Sequence, residues 1–292
     1  MSKRETILRP WTTISRSAHL RRPAGLALAG VLLLVGVISL PAGASAADFA
    51  TGYAAYQQGD FAAALRQWRP LAEAGHAKAQ FNLGALYDQG KGVVQDSREA
   101  VRWWRRAAEG GLALAQHNLA NAYIAGEGVA QDYDQAVDWL RRSAQAGQRR
   151  SQYTLGKMYQ YGLGVAADLS RAAGLFHAAA EQGLDRAQYN LGKIYRDGAG
   201  VARDAGRSLK WFQRAAEQGY AKAQSHLGAR YVRGQGVAVD LIEGYKWTAL
   251  AARQGHPRAK ENLAVLKAKL TAPQRTEADR RLADFTPRRE GQ

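Results

Sequence analysis

A chemical site would be built from histidines, paired carboxylates, glycine-rich loops or nucleophiles, and the chain offers a candidate of most kinds. His76, His117, His177, His226 and His256 are scattered, with no H-E-x-x-H run and no tight carboxylate spacing, so no metal site is expected. Five G-x-G loops, starting at Gly90, Gly126, Gly162, Gly198 and Gly234, would cradle phosphate if each followed a strand and continued as G-x-G-x-x-G. They follow helical periodicity instead, which removes the nucleotide reading. Asp96, Asp132, Asp168, Asp204 and Asp240 look like paired acids on paper, but each opens a helical segment and reads as its N-cap. There is no G-x-S-x-G, and the absence of cysteine excludes a thiol nucleophile, a thiolate metal site and a disulfide scaffold. No catalytic residue, cofactor or metal ligand is expected.

Those residues are placed by a repeat. Gly75, Gly111, Gly147, Gly183, Gly219 and Gly255 recur every 36 residues, in register with Leu83, Leu119, Leu155, Leu191, Leu227 and Leu263 and with Tyr87, Tyr123, Tyr159, Tyr195 and Tyr231. Ala79, Leu83 and Tyr87 fall four apart on one helical face. The G-x-G loop supplies the positive φ that ends this first helix. The aspartate then caps a second helix, with Glu99, Gln135 and Glu243 three residues on as partners in capping boxes. Arg171 and Arg207 stand in that place in two repeats, which predicts weaker helix starts there. Ala100, Trp104, Ala107 and Ala108 form the buried stripe of the second helix. The tryptophans at 103, 139, 211 and 247 share one place, with Leu175 as the exception, and read as inter-repeat packing.

The pattern A-x-x-x-L-G-x-x-Y-x-x-G-x-G-V-x-x-D followed by A-x-x-W-x-x-A-A-x-x-G, nearly complete over 79–111, resembles the Sel1-like repeat, a relative of the tetratricopeptide repeat. Ala120 and Ala264 replace its glycine, and Thr248 its bulky second-helix residue. The resemblance implies an all-α, right-handed α-solenoid used for protein–protein contact, with no shared catalytic residue. Five repeats are predicted over 76–111, 112–147, 148–183, 184–219 and 220–255. Residues 47–75 read as a shorter tetratricopeptide-like helix pair. Residues 256–285 read as a partial repeat with a last helix from about Pro273, and 286–292 as a disordered tail. Atypical end units cover the exposed faces of a solenoid.

The N-terminus reads as a signal peptide over 1–46: a basic segment, an uncharged apolar run from Ala24 to Leu40, and small residues ending in Ala44-Ser45-Ala46. The alternative is an uncleaved anchor through residues 24–40. Either way the remainder is expected outside the cytoplasm, and a cysteine-free exported chain suits a periplasm. Lys+Arg number 41 against 25 Asp+Glu, a net charge of +16. For an exported chain this excess favours an acidic protein surface or an anionic polymer over nucleic acid.

At about 100° per residue, the places five and two before the repeat leucine, and two and five after it, flank the core face of the first helix. Family resemblance implies that these first helices line the concave side. In repeats three and four this arc holds Arg150, Tyr153, Lys157, Arg186, Tyr189, Lys193 and Arg196. These seven are the candidate partner-binding residues, for a protein of the cell envelope with acidic character. The competing reading is that Tyr153 and Tyr189 only pack between first helices. An envelope polysaccharide or peptidoglycan is the alternative ligand.

Overall fold

The structure, a computed structural model, describes residues 47–290; the leader expected over 1–46 lies outside the described residues. These residues form fourteen helices and no strand: α1 (Phe49–Gln57), α2 (Phe61–Glu73), α3 (Ala77–Gln89), α4 (Ser97–Glu109), α5 (Ala113–Ala125), α6 (Tyr133–Gln145), α7 (Arg149–Tyr161), α8 (Leu169–Glu181), α9 (Asp185–Asp197), α10 (Ala205–Glu217), α11 (Ala221–Arg233), α12 (Leu241–Arg253), α13 (Pro257–Lys269) and α14 (Ala272–Ala283). From α1 to α13 each packs on its neighbours in the chain, and α14 folds back onto α12. This is the α-solenoid that the period implies.

Local chemistry repeats with the helices. Gly90, Gly126, Gly162, Gly198 and Gly234 end the first helices in the left-handed conformation. The amide of each capping aspartate donates to the carbonyl of the repeat tyrosine, as from Asp96 to Tyr87 and from Asp168 to Tyr159, and this closes the loop. The second loop glycine joins repeats. Gly164 has φ +62°, and a Cβ there would run into the backbone of Tyr133, the first residue of α6 in the preceding repeat.

All five second-helix aspartates accept a backbone N–H as N-caps. The expected capping boxes are only half made. The N-cap amides that the boxes need already donate to the repeat tyrosine carbonyls, so the Glu99 carboxylate turns to Arg102 at 3.1 Å, Glu243 turns to Lys246 and Arg281, and Gln135 makes only the backbone half. A reciprocal box forms instead at Thr271 and Gln274 of α14. Arg171 and Arg207 reach back to the carboxylates of Asp168 and Asp204, whose cap bonds are as short as the others.

Inside each repeat the two helices meet where the first-helix glycine faces one second-helix side chain. Gly84 faces Trp104, Gly156 faces Phe176, Gly192 faces Phe212 and Gly228 faces Thr248. The repeat that carries Ala120 has Leu140 in the facing place, and both are fully buried. In four of the five repeats a small residue thus faces a large one, as close packing requires, and Gly228–Thr248 is the exception.

A buried glutamine series links consecutive repeats. Gln80, Gln116, Gln152, Gln188 and Gln224 each donate to the carbonyl of an alanine near the end of the preceding second helix. In the last three the side-chain oxygen accepts in turn from Gln182, Gln218 or Gln254. Ala146 stands in that place opposite Gln116, and the buried Gln116 Oε1 has no partner. Leaving such an acceptor unpaired costs about 1–3 kcal/mol. Ala146→Gln is therefore expected to stabilise the chain by about 1 kcal/mol, read as a raised urea midpoint; an unchanged or lowered midpoint would show that the added side chain does not reach Gln116.

The ends differ from the middle. Trp68 of α2 is buried against Phe49 and Tyr56 and closes the N-terminal face. The tail departs from expectation. Residues 286–290 are not a disordered extension: they lie along the turns of repeats four and three, held through Arg288 and Glu290. The final two residues lie outside the described residues.

Candidate partner-binding groove

The seven predicted residues lie on α7 and α9, the first helices of repeats three and four. Tyr153 sits against Phe176, with ring centroids 5.6 Å apart, and its hydroxyl accepts from Asn190 Nδ2 on α9 at 3.3 Å. Tyr189 is surrounded by Phe212, Tyr220 and His226, and its hydroxyl lies 3.3 Å from His226 Nε2 on α11. Both tyrosines are thus half-buried between successive first helices, and burial holds both phenols above their ordinary pKa. The two lysines repeat one arrangement: Lys157 Nζ lies 5.9 Å from the Tyr153 ring centroid, and Lys193 Nζ 5.9 Å from that of Tyr189.

The cations divide into two groups. Burial pushes the Lys157 ammonium down to about 8, and the charges of Arg186 and Lys222 add to it. Lys157, Arg186 and Lys222 belong to α7, α9 and α11, the first helices of three successive repeats; the last two act on the Lys157 charge, and the Tyr153 phenol feels both Arg186 and Asp185. Arg196, further along α9, is gripped by Asp197 in a two-bond pair at 2.7 and 2.8 Å. Its charge, with those of Lys193 and Arg230, faces His226, which burial first of all holds down at about 4. Arg150 is exposed at the start of α7, and its charge is felt at buried His117.

Two residues enter the site that the arc on α7 and α9 does not include. Tyr220 caps α11, touches Tyr189, and has its phenol driven far up by burial. Lys222 lies two residues further on, and its charge acts on Lys157. Tyr220 precedes its helix and so lies off any helical arc. Its signal is positional: the same place holds His76, Leu112, Gln148 and Leu184 in earlier repeats, and a tyrosine there marks repeat five as different.

Among the described residues no group of three His, Asp or Glu side chains could hold a metal ion, and no helix is long and apolar enough to cross a membrane.

A family model for the Sel1 repeat matches residues 77–112, 113–148, 149–184, 185–220 and 221–256, each one residue beyond the glycine-based division. A solved Sel1 repeat protein from Oxalobacter formigenes is similar at 30% identity and a TM-score of 0.71, over 80% of this chain and 96% of that one. A protective antigen of uropathogenic Escherichia coli shows 27% identity and a TM-score of 0.40, over 81% of this chain and 67% of its own. An immunity protein from Pseudomonas aeruginosa shows 22% identity and a TM-score of 0.45, over 70% and 83%. A search of curated protein sequences found no match. With five tandem repeat matches, glycine–aromatic pairs inside the repeats and a glutamine series between them, the chain belongs to the Sel1 repeat family.

Proposed function

We propose that the chain is a non-enzymatic scaffold or regulator of the bacterial cell envelope, which binds an acidic, extended segment of a partner protein along the first helices of repeats three to five. Sel1 repeat proteins generally act as protein-interaction scaffolds. One observation carries the finer reading: Lys157 lies 5.9 Å from the Tyr153 ring centroid and feels the charges of Arg186 and Lys222 from the next two repeats. Tyrosine gives rigid contact area, and arginine grips carboxylates through two parallel bonds. Arg150, Tyr189, Lys193 and Arg196 extend the surface to either side. The basic, apolar and small-residue order of residues 1–46 supports export to the periplasm.

The test is Lys157→Glu with Lys193→Glu, compared with Arg98→Glu and Lys210→Glu, which are exposed on second helices. Protein recovered from the envelope fraction, beginning at Ala47 or Asp48, captures its partner from envelope extract, and the captured partner is then titrated at two salt concentrations. The groove pair is expected to weaken binding about tenfold or more, with little change in thermal stability because a glutamate at 157 meets Arg186 and Lys222. Equal loss from both pairs leaves only general charge attraction, and full binding by the groove pair removes the groove assignment. Retention on purified cell-wall sacculi in place of protein capture supports the anionic-polymer reading, which the basic excess favours.

A further inference from the structure

Beyond α14 the chain runs without secondary structure over the turns that join each second helix to the next first helix. Phe285 stands edge-on to Trp247 at 5.4 Å, and the Pro287 ring lies over Gly219. The Arg288 amide donates to the Glu217 carbonyl at 2.9 Å, and the Glu290 amide to Gln218 Oε1 at 3.1 Å. The Glu290 carboxylate accepts from Gln188 Nε2 at 2.8 Å, and from Arg214 Nη2 at 2.7 Å and Nε at 3.3 Å. Gln188 is fully buried, and Arg214 is braced over the Trp211 ring at 4.7 Å, so the groups that read the carboxylate are fixed in place. Those contacts hold Glu290 below the ordinary carboxylate range, Arg214 most of all.

The repeat permits a comparison that a single site does not. The arginine of this slot recurs at Arg106 and Arg142 but gives way to Ala178 and Leu250; the glutamine at 218 recurs at Gln182 and Gln254 but gives way to Gly110 and Ala146. With the buried glutamine series, the three meet only in repeat four, at Gln188, Arg214 and Gln218, and Glu290 lies there. The occupant is held lightly, since residues 286–289 are exposed along their whole length.

We propose that the turn edge of repeat four is a recognition slot for an extended peptide bearing a glutamate, that residues 286–290 are its resident occupant, and that a partner segment of the same chemistry binds by displacing them. The slot uses none of the seven groove residues, so this inference goes beyond the groove reading and fails or stands independently of it. A tethered tail presents itself at an effective concentration on the order of 1 mM. An external peptide of about 100 μM intrinsic affinity is then weakened about tenfold in the intact chain.

The probe is a fluorescent peptide with the sequence of residues 284–292, titrated into the chain, into Glu290→Lys, and into Glu290→Lys with Arg214→Gln. Binding to Glu290→Lys is expected to be about tenfold tighter than to the unaltered chain. It is lost when Arg214→Gln is added, and lost equally when the peptide carries glutamine for its glutamate. That last control changes the ligand alone and needs no second substitution in the chain. Equal affinity for the unaltered chain and Glu290→Lys, no saturable binding to Glu290→Lys, or indifference to the peptide glutamate would each overturn the proposal.

Discussion

Replacing Phe212 by alanine is expected to cost about 3–5 kcal/mol and to loosen repeats three to five before the rest. Phe212 is fully buried on α10. Its ring lies 5.7 Å from Tyr189, stacks on His226 at 5.2 Å with a 4° interplanar angle, and lies 5.2 Å from the guanidinium of buried Arg230. Truncation leaves a cavity and also strips the apolar face from a buried cation. Urea denaturation reads the loss, and hydrogen exchange reads its location. Loss spread evenly over 48–285 would mean one cooperative core rather than a chain of neighbour contacts.

The same contact makes a sharper test through its partner. Gly192→Ala alone brings a Cβ to 2.9 Å from Phe212 Cδ1, closer than carbon atoms pack. The clash outweighs the gain of about 1 kcal/mol that alanine brings to a helix interior. Gly192→Ala together with Phe212→Leu copies the Ala120–Leu140 pair of repeat two, which is fully buried. The double variant is expected to be more stable than the sum of the singles by about 0.5–3 kcal/mol. Additive losses would show that the two places do not answer each other.

That pairing also shows what a sequence displays and what it withholds. The substitutions Ala120 and Thr248 are visible in the text as departures from a pattern, and only the packing shows that Ala120 is matched by Leu140 while Thr248 still faces a glycine. The period, the loop glycines and the aspartate caps were legible because each depends on residues within one repeat. The capping boxes expected at Glu99, Gln135 and Glu243 stay half made because the amides of Asp96, Asp132 and Asp240 are taken by tyrosine carbonyls across the loop, and the carboxylates of Glu99 and Glu243 pair with Arg102, Lys246 and Arg281 instead. The buried glutamines carried a readable signal that went unread: a polar residue repeated in register with a core leucine must have a fixed partner. In the groove, single-helix angles grouped Arg150, Lys157 and Arg186 with Tyr153 and Tyr189. The wedging of both tyrosines against the next first helix depends on how repeats stack, which no single-helix angle contains. Residues 286–290 have no periodicity, and their place is set by a slot on the body of the protein.

Lowering the pH from 7 towards 4 is expected to remove about 3 kcal/mol of stability through His117 alone. His117 is buried, and its ring sits in a directional chain. Ser143 Oγ donates to the Ala113 carbonyl at 2.7 Å and lies 2.7 Å from Ser151 Oγ, which is 2.9 Å from His117 Nδ1. With the Ser143 proton committed to that carbonyl, Ser151 donates to Ser143 and accepts from Nδ1–H. Nε2 is then the bare nitrogen, and accepts from Asn121 Nδ2 at 3.0 Å. A second ring proton would meet that amide head-on. Burial holds this imidazole at about 4, Arg150 adds to it, and His226 is held at about 4 by its own burial and the charges of Arg196, Lys193, Arg230 and His256. Both native values lie below the unfolded value of about 6.5. The unfolded chain therefore binds protons first, and stability present above pH 6.5 is lost as pH falls towards 4. His226 and His256, both held down by burial, add to the same window with the same sign, and the carboxylates do not. Asp88 is held above its ordinary value by burial and by Glu127, so it contributes with the opposite sign. Carboxylates held low by arginine, such as Asp197 and Glu290, lose their contribution only below about pH 4.5. Urea midpoints at pH 7, 5.5 and 4.5 measure the slope, and His117→Asn is expected to be weaker at pH 7 but to lose about one proton's share of the pH dependence. An unchanged slope in that variant would mean that the chain through Ser151 and Ser143 tolerates a charged imidazole.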